Sequence, residues 1–303
     1  MIRDKNALVS AKSRKKDLKG GSIAFRCITY VHLIIYALCI LVPFFVVLKT
    51  SFTSNEELTA SMKFIWFPQK GLTAAAYQTA FFSDLLKTYG ISVLRSFFNT
   101  LWQTLPTVCI GLFVSGLSAF SFAKMNFPGK NVLFAILLST MMIPTAVLTM
   151  PSYIFYDSIG WSSTVLPLII PGMFGGAMIV FFLRQFFQGI PTDLVEAGKI
   201  DGMSYFMMYV KIIIPLAKPA FLAQFIFMFV GGYNSYVGPL LYLNGKIPLY
   251  SLQMALTLFR SIYSSKQAIV CAFAVLALLP LLIIYTFTQK YFTEGIANTG
   301  IKG

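Results

Sequence analysis

Asp193, Glu196 and Asp201 are the only carboxylates in a 35-residue polar stretch, residues 184–218, set between two long apolar runs. Asp193 and Glu196 stand three apart, so a helix opened by Pro191 would carry both on one face near its positive end. Asp201-Gly202 breaks that helix, and Asp201 is placed to cap the next one. The second helix sets Phe206, Val210, Ile213 and Ile214 at i, i+4, i+7 and i+8, an apolar face, before Pro215 and Pro219 close it. A short helix, a sharp turn and a second helix make a rigid knob. Its chemistry is docking and force transmission.

Catalytic spacing is missing elsewhere. No GxxxxGK[ST] run cradles nucleotide phosphates, and Gly129-Lys130-Asn131 is only a short turn. No nucleophile–base arrangement is visible. The four cysteines, Cys27, Cys39, Cys109 and Cys271, have no metal-ligand spacing and read as small buried apolar residues. His32, the single histidine, reads as a polar packing residue.

The elements that must position the knob are membrane spans. Apolar residues make up 57% of the 303, charged residues 11% and aromatics 16%. No soluble domain of this size hides so much apolar surface. Six runs reach spanning length, residues 27–48, 99–122, 131–153, 164–183, 219–243 and 267–289, and none contains Asp, Glu, Lys or Arg. An all-α membrane protein with six transmembrane helices follows. The first run lacks a small-residue cleavage site and reads as a signal anchor.

Basic residues set the orientation. Eight of the 24 Lys and Arg precede residue 27, and eight more fall on the same side if the N-terminus is inside. Both termini are then cytoplasmic, residues 1–26 form a basic tail, and residues 27–303 form the membrane domain. The net charge of +14 is mainly this topology signal, helped by attraction to anionic lipid, and not a nucleic-acid footprint. A long outer loop, residues 49–98, carries Phe64, Trp66, Phe67, Tyr77, Phe81 and Phe82, rings suited to headgroup depth. The fifth run is interrupted by Gly231-Gly232 and Pro239, around Tyr233, Asn234, Ser235 and Tyr236. Such irregularity is tolerated where it lines a wet cavity or permits close packing.

The spans hold no carboxylate to relay protons or bind sodium, which disfavours a secondary carrier or channel. If the chain moves a solute uphill, the energy enters through the cytoplasmic face.

Glu196-Ala197-Gly198, Asp201-Gly202 and Ile213-Ile214-Pro215 resemble the cytoplasmic signature of the permease subunits of ATP-binding-cassette importers, specifically the carbohydrate-uptake group. FAKMNFPGK (residues 122–130) is similar to that family's loop between the second and third spans. YNSYVGPLLYLN (residues 233–244) resembles its fifth-span motif, and QKYFTEGIANTGIKG (residues 289–303) its C-terminal tail. The likeness covers nearly everything from the first span onward.

The resemblance implies a type I importer permease fold whose knob is a coupling helix seated in a cleft of a separate ATPase. Glu196, Ala197 and Gly202 would dock, with Gly198 beside them and Asp201 supporting the turn. It also implies a multi-pass protein of a bacterial or archaeal cell membrane that is no enzyme itself and carries no cofactor. ATP and Mg would be bound by two ATPase subunits, a second permease subunit would complete a heterodimer, and an extracytoplasmic sugar-binding protein would deliver the cargo. Two departures stand out. Gly198 replaces an alanine and should soften the helix by up to ~1 kcal/mol, and Ser235 stands where an acid often follows the asparagine.

A neutral polyhydroxylated solute needs hydrogen-bonding groups and aromatic platforms. Tyr153, Tyr156, Gln224, Tyr233, Asn234 and Tyr236 could supply them along a substrate pathway, although aromatics in spans also face lipid or pack. A peptide or amino-acid importer and a membrane scaffold without transport remain as alternatives at this point.

Overall fold

The computed structural model describes residues 23–60, 65–82 and 88–299. The basic tail falls almost wholly outside them, as do Phe64 and the last four residues. Among the described residues every regular element is helical. The α-helices of four residues or more, in chain order, are α1 (Ile23–Ser51), α2 (Asn55–Ala60), α3 (Ala75–Phe82), α4 (Val93–Lys124), α5 (Lys130–Thr140), α6 (Thr145–Ser158), α7 (Leu166–Met173), α8 (Ala177–Gln188), α9 (Asp193–Ile200), α10 (Tyr205–Met208), α11 (Lys218–Tyr233), α12 (Val237–Leu243), α13 (Leu252–Ile262) and α14 (Gln267–Thr299).

Four spans are long and apolar enough on their own: Phe25–Ser51, Val93–Lys124, Leu166–Gln188 and Gln267–Phe287. They coincide with the first, second, fourth and sixth runs, except that residues 164–165 and 288–289 fall outside them. The third run is not a straight helix, because α5 and α6 meet at 92°. Pro144 has no N–H and forces the preceding residue out of the helical region. The ladder tightens into short turns at Met142 and Ile143 and stops there. The fifth run begins as α11, which holds Gly231 and Gly232 inside it, and breaks only after Tyr233. The Asn234 side chain donates to the Val230 carbonyl at 3.0 Å, and α12 resumes at Val237 with Pro239 in its first turn. The fourth span runs on to Gln188, so Arg184 belongs to α8 and not to the loop after it.

The helix α4 is the hub. It packs against α7, α8, α11 and α13, while α1 lies against α14 and is exposed along almost its whole length. Small residues permit the closest approach. A Cβ on Gly111 would sit 2.3 Å from the Gly172 carbonyl oxygen, and one on Gly172 would sit 2.3 Å from Thr107 Cγ2. Backbones this close gain dispersion contacts and short hydrogen bonds, which hold helices together where lipid removes the hydrophobic drive. Accordingly Thr107 Oγ1 donates to the Ile169 carbonyl at 3.1 Å, and Ser115 Oγ accepts from Gly176 N at 3.1 Å.

Two cores flank this crossing. One gathers Phe229, Tyr233, Phe259, Tyr263 and Phe273 around α13 and α14. The other gathers Phe120, Leu183, Phe187, Val195, Tyr209 and Ile213 around the polar stretch. The segment between α1 and α4 folds onto the first. Buried Glu57 accepts from Gln69 N at 2.6 Å and Lys70 N at 3.4 Å, and Asn55 Oδ1 accepts from Ala268 N at 3.2 Å. Trp66, Phe67, Phe81 and Phe82 are exposed, whereas Tyr77 turns inward to Ser51. The cysteines depart from expectation: Cys27, Cys39 and Cys109 are exposed on the outer faces of their helices, and only Cys271 is half-buried. His32 is exposed on α1.

Candidate functional site

The knob exists as a tight helical hairpin. The helix α9 ends in a Schellman motif. Met203 N donates to Gly198 O at 2.9 Å, Gly202 N donates to Lys199 O at 3.0 Å, and Gly202 takes φ = +73°. A Cβ added there meets nothing within 4 Å, so backbone conformation alone demands glycine. Asp201 is the last half-helical residue, its N–H bound to Ala197 O at 3.0 Å. It does not cap the following helix. Ser204 does, accepting from Met207 N at 3.2 Å. Pro191 lies two residues ahead of α9 and not in its first turn.

Glu196, Ala197, Asp201 and Gly202 are exposed, while Val195 and Gly198 face inward. Gly198 does not soften this helix so much as let it be approached. A Cβ there would lie 3.1 Å from Met208 Cγ and Sδ and 3.2 Å from Ile212 Cδ1. The second arm also departs from the expected register. Its buried face is Met208, Tyr209 and Ile213, with Phe206 and Val210 exposed. After α10 the chain widens into a π-turn, Tyr209–Ile213, whose Ile214 N–H returns to Tyr209 O. Pro215 follows and has no N–H for the Lys211 carbonyl, which an even α-helix would require. The wide turn rotates Tyr209 inward.

Tyr209 is fully buried and carries the joint between the hairpin and the spans. Its hydroxyl donates to the Phe113 carbonyl of α4 at 2.8 Å, and its ring lies 5.3 Å from Phe113 and 6.0 Å from Phe120. Gly116 makes room, since a Cβ there would be 2.4 Å from the Tyr209 oxygen. Residue type and spacing around residues 196–202 pointed to the knob but not to this link.

A cavity of about 310 Å³ opens between α4, α7, α11 and α12. Its polar lining is Thr100, Gln103, Thr104, Thr107, Ser235 and Ser251. Some of these groups are already engaged: Thr100 Oγ1 accepts from Leu252 N at 2.8 Å, and Gln103 Nε2 donates to Leu249 O at 2.8 Å. Thr104 and Ser235 bring hydroxyls to the wall beside Gly232 and Gly231. The signal was in the sequence: positions 100, 103, 104 and 107 form a polar stripe at helical spacing along an otherwise apolar span.

The six residues expected along a pathway are not brought together. Tyr153 and Tyr156 form an aromatic cluster with Trp161 and Tyr242, at centroid distances of 5.8–5.9 Å. Tyr233 is buried, its hydroxyl donating to the Ala277 carbonyl at 2.8 Å. Asn234 accepts from Gln253 Nε2 at 2.9 Å, Gln224 is buried within α11, and Tyr236 packs beside Leu243 and Tyr250.

The family model for the binding-protein-dependent transport system inner membrane component matches residues 108–298, from the middle of α4 through the hairpin to the end of α14. The chain belongs to that family. It is a multi-pass membrane permease subunit. Among its relatives, the arabinooligosaccharides transport system permease protein AraQ of Bacillus subtilis (strain 168) is 32% identical over 220 residues, covering 71% of this chain and 75% of the relative. The polygalacturonan/rhamnogalacturonan transport system permease protein YtcP of the same organism is 28% identical over 293 residues, covering 92% and 98%. A crystal structure of a bacterial ABC transporter involved in the import of the acidic polysaccharide alginate matches with a TM-score of 0.74 and 24% identity, covering 89% of this chain and 96% of that one. At that identity the likeness establishes the permease's fold.

Proposed function

We propose that this permease is one half of a heterodimeric, ATP-driven importer of a sugar or oligosaccharide, coupled to its ATPases through Glu196, Ala197, Gly198, Asp201 and Gly202. The observation that carries the reading is the hairpin itself. It offers Glu196 and Ala197 to solvent on a helix locked at its far end and joined to α4 through Tyr209. Two ATPase subunits binding ATP and Mg would close on this element and a second copy contributed by the partner permease. With the N-terminus inside, the hairpin is cytoplasmic and the Tyr153–Tyr156–Tyr242 cluster lies at the outer mouth, where a binding protein would release cargo. Relatives named for arabinooligosaccharide and polygalacturonan transport support a carbohydrate.

The uncharged polar wall of the cavity suits a hydroxylated solute. Hydroxyl groups there can exchange hydrogen bonds with sugar hydroxyls without burying a net charge. Thr104→Val keeps the volume and removes one hydroxyl. It is expected to lower uptake about fivefold, the value of one ordinary hydrogen bond, at unchanged basal ATP hydrolysis. Uptake of labelled oligosaccharide in proteoliposomes, alongside phosphate release, checks this.

Tyr209→Phe keeps the ring and deletes the bond to Phe113 O. Thermal stability should fall by about 1 kcal/mol, while sugar delivered per ATP hydrolysed should fall much further. Equal losses of both activities would show Tyr209 to be packing alone. The reading as a whole is tested by reconstituting the chain with and without an ATPase pair, a second permease and a sugar-binding protein. Uptake should need all of them, and uptake driven by a proton or sodium gradient with this chain alone would refute it.

A further inference from the structure

The loop that joins α4 to α5, residues 125–129, and the helix ends on either side of it have no part in the coupling hairpin or the cavity, yet they are tightly built. Lys124 Nζ donates to the Ile190 carbonyl, Lys130 Nζ donates to Met125 O at 2.8 Å, and Arg184 Nε donates to Phe122 O at 3.3 Å. Arg184 also lies over the Phe134 ring, 4.0 Å from its centroid. Between these groups is a second, open notch of about 540 Å³, lined by Asn126, Gly129, Lys130, Asn131, Val132 and Arg184. That volume falls within the roughly 300–1,000 Å³ of small-molecule sites.

The wall of the notch carries Lys130 and Arg184 and no carboxylate. Lys124 and Lys130 are close enough to repel each other. One donor of Arg184 and one of Lys130 reach a protein carbonyl, and neither the other guanidinium N–H groups nor the rest of the ammonium has a protein acceptor among the described residues. The amide groups of Asn126 and Asn131 add neutral donors to the same wall. A planar guanidinium beside an ammonium and amides matches the oxygens of a phosphate ester.

Position narrows the ligand. The notch lies where two spans end, at the depth of lipid headgroups. Directly along α5 from Lys130, Val132, Leu133 and Ile136 are exposed at 65%, 51% and 55%, a greasy strip continuous with the polar notch. An apolar strip on a span faces acyl chains, so an anion held in the notch sits at the head of the lipid beside it. We propose that the notch binds the headgroup of an anionic phospholipid, its phosphate between Lys130 and Arg184 and its acyl chains along Val132, Leu133 and Ile136. The headgroup fastens the α4–α5 loop and α8 at the foot of the coupling hairpin, which α8 enters through Ile190.

The site rests on the importer reading only for the complex in which it is tested. The complete importer is placed in nanodiscs of phosphatidylcholine with or without phosphatidylglycerol, and lipid retained through delipidation is counted by native mass spectrometry. The wild type is expected to keep phosphatidylglycerol over phosphatidylcholine. Lys130→Gln and Arg184→Gln should each lower that preference about fivefold, the value of one basic residue at a charged membrane surface. Lys246→Gln, at the opposite end of the spans, should not. If Arg184→Gln disturbs folding through its contact with Phe134, Lys130→Gln still decides. Equal retention by wild type and both variants overturns the proposal. Displacement of the lipid by millimolar inorganic phosphate assigns the notch to a soluble anion and also overturns it. Because retention is read without turnover, an importer that fails to transport leaves this result standing, and the two readings fail separately.

Discussion

Glu196→Lys is expected to abolish ATP-driven uptake while the permease remains folded and in the membrane. Glu196 is exposed on α9 and makes no contact that the hairpin needs, since the turn is held by backbone bonds from Met203, Gly202 and Asp201. Its removal therefore costs the isolated chain little, as for most exposed positions. At a docked surface the balance differs. A carboxylate seated at an interface and replaced by the opposite charge costs several kcal/mol, so coupling should fall at least about 30-fold. Glu196→Gln, which removes the charge without reversing it, should lose less. The check is uptake and ATP hydrolysis by the reconstituted complex, with thermal unfolding of the purified subunit as the control for folding. A Glu196→Lys complex that transports normally would remove the hairpin from the coupling path.

The largest structural effect is expected at Gly111. A Cβ there would be 2.3 Å from the backbone oxygen of Gly172, and a carbonyl held in a helix cannot turn aside as a flexible side chain can. Gly111→Val must push α4 away from α7. That breaks the Thr107–Ile169 and Ser115–Gly176 bonds beside it and opens the crossing on which both cores depend. Overpacking of this kind costs about 1–3 kcal/mol or more, a large fraction of a marginal stability. Gly231 is the matched control, a glycine of α11 whose added Cβ would meet nothing within 4 Å. Gly231→Ala should leave stability unchanged or raise it by up to ~1 kcal/mol through helix propensity. Fluorescence-detected thermal unfolding in detergent separates the two. Similar melting temperatures for both variants would contradict the close crossing.

The same crossing shows what could be read from the residues and what could not. Six apolar runs were legible because hydrocarbon thickness fixes a length and penalises charge. The 92° bend between α5 and α6 was not, because Met141, Met142 and Ile143 are as apolar as the spans around them and only Pro144 hints at it. The hairpin was legible from Asp201-Gly202, since a left-handed turn has few residue solutions. Its inner face was misjudged because an even 3.6-residue period was assumed through a segment that Pro215 forces into a π-turn. Val210 was expected inside, and Tyr209 is there instead.

Gly198 shows a further limit. Propensity treats it as a weakness in the helix, but its neighbours Met208 and Ile212 come from the second arm, which local sequence does not see. The cavity was missed for a different reason. Aromatic and amide residues read as sugar-binding types, whereas the polar wall is mainly hydroxyls, Thr100, Thr104 and Thr107 of α4 with Ser235 and Ser251. Hydroxyls scattered in a span are usually satisfied by the preceding turn, and Thr100 does donate to the Ser96 carbonyl in that way. Only the packed helices show that the stripe faces a space.

The central claim is that the exposed face of α9 is where the motor engages. Ala197 is exposed next to Glu196, and a side chain added there points outward without disturbing Val195 or Gly198. A genetically encoded benzophenone residue in place of Ala197, irradiated in membranes of cells expressing the whole importer, reads the contact directly. Crosslinking to an ATPase subunit, absent from a control at Lys246, is the expected result. Crosslinks confined to lipid or to the partner permease, with uptake intact, would contradict it.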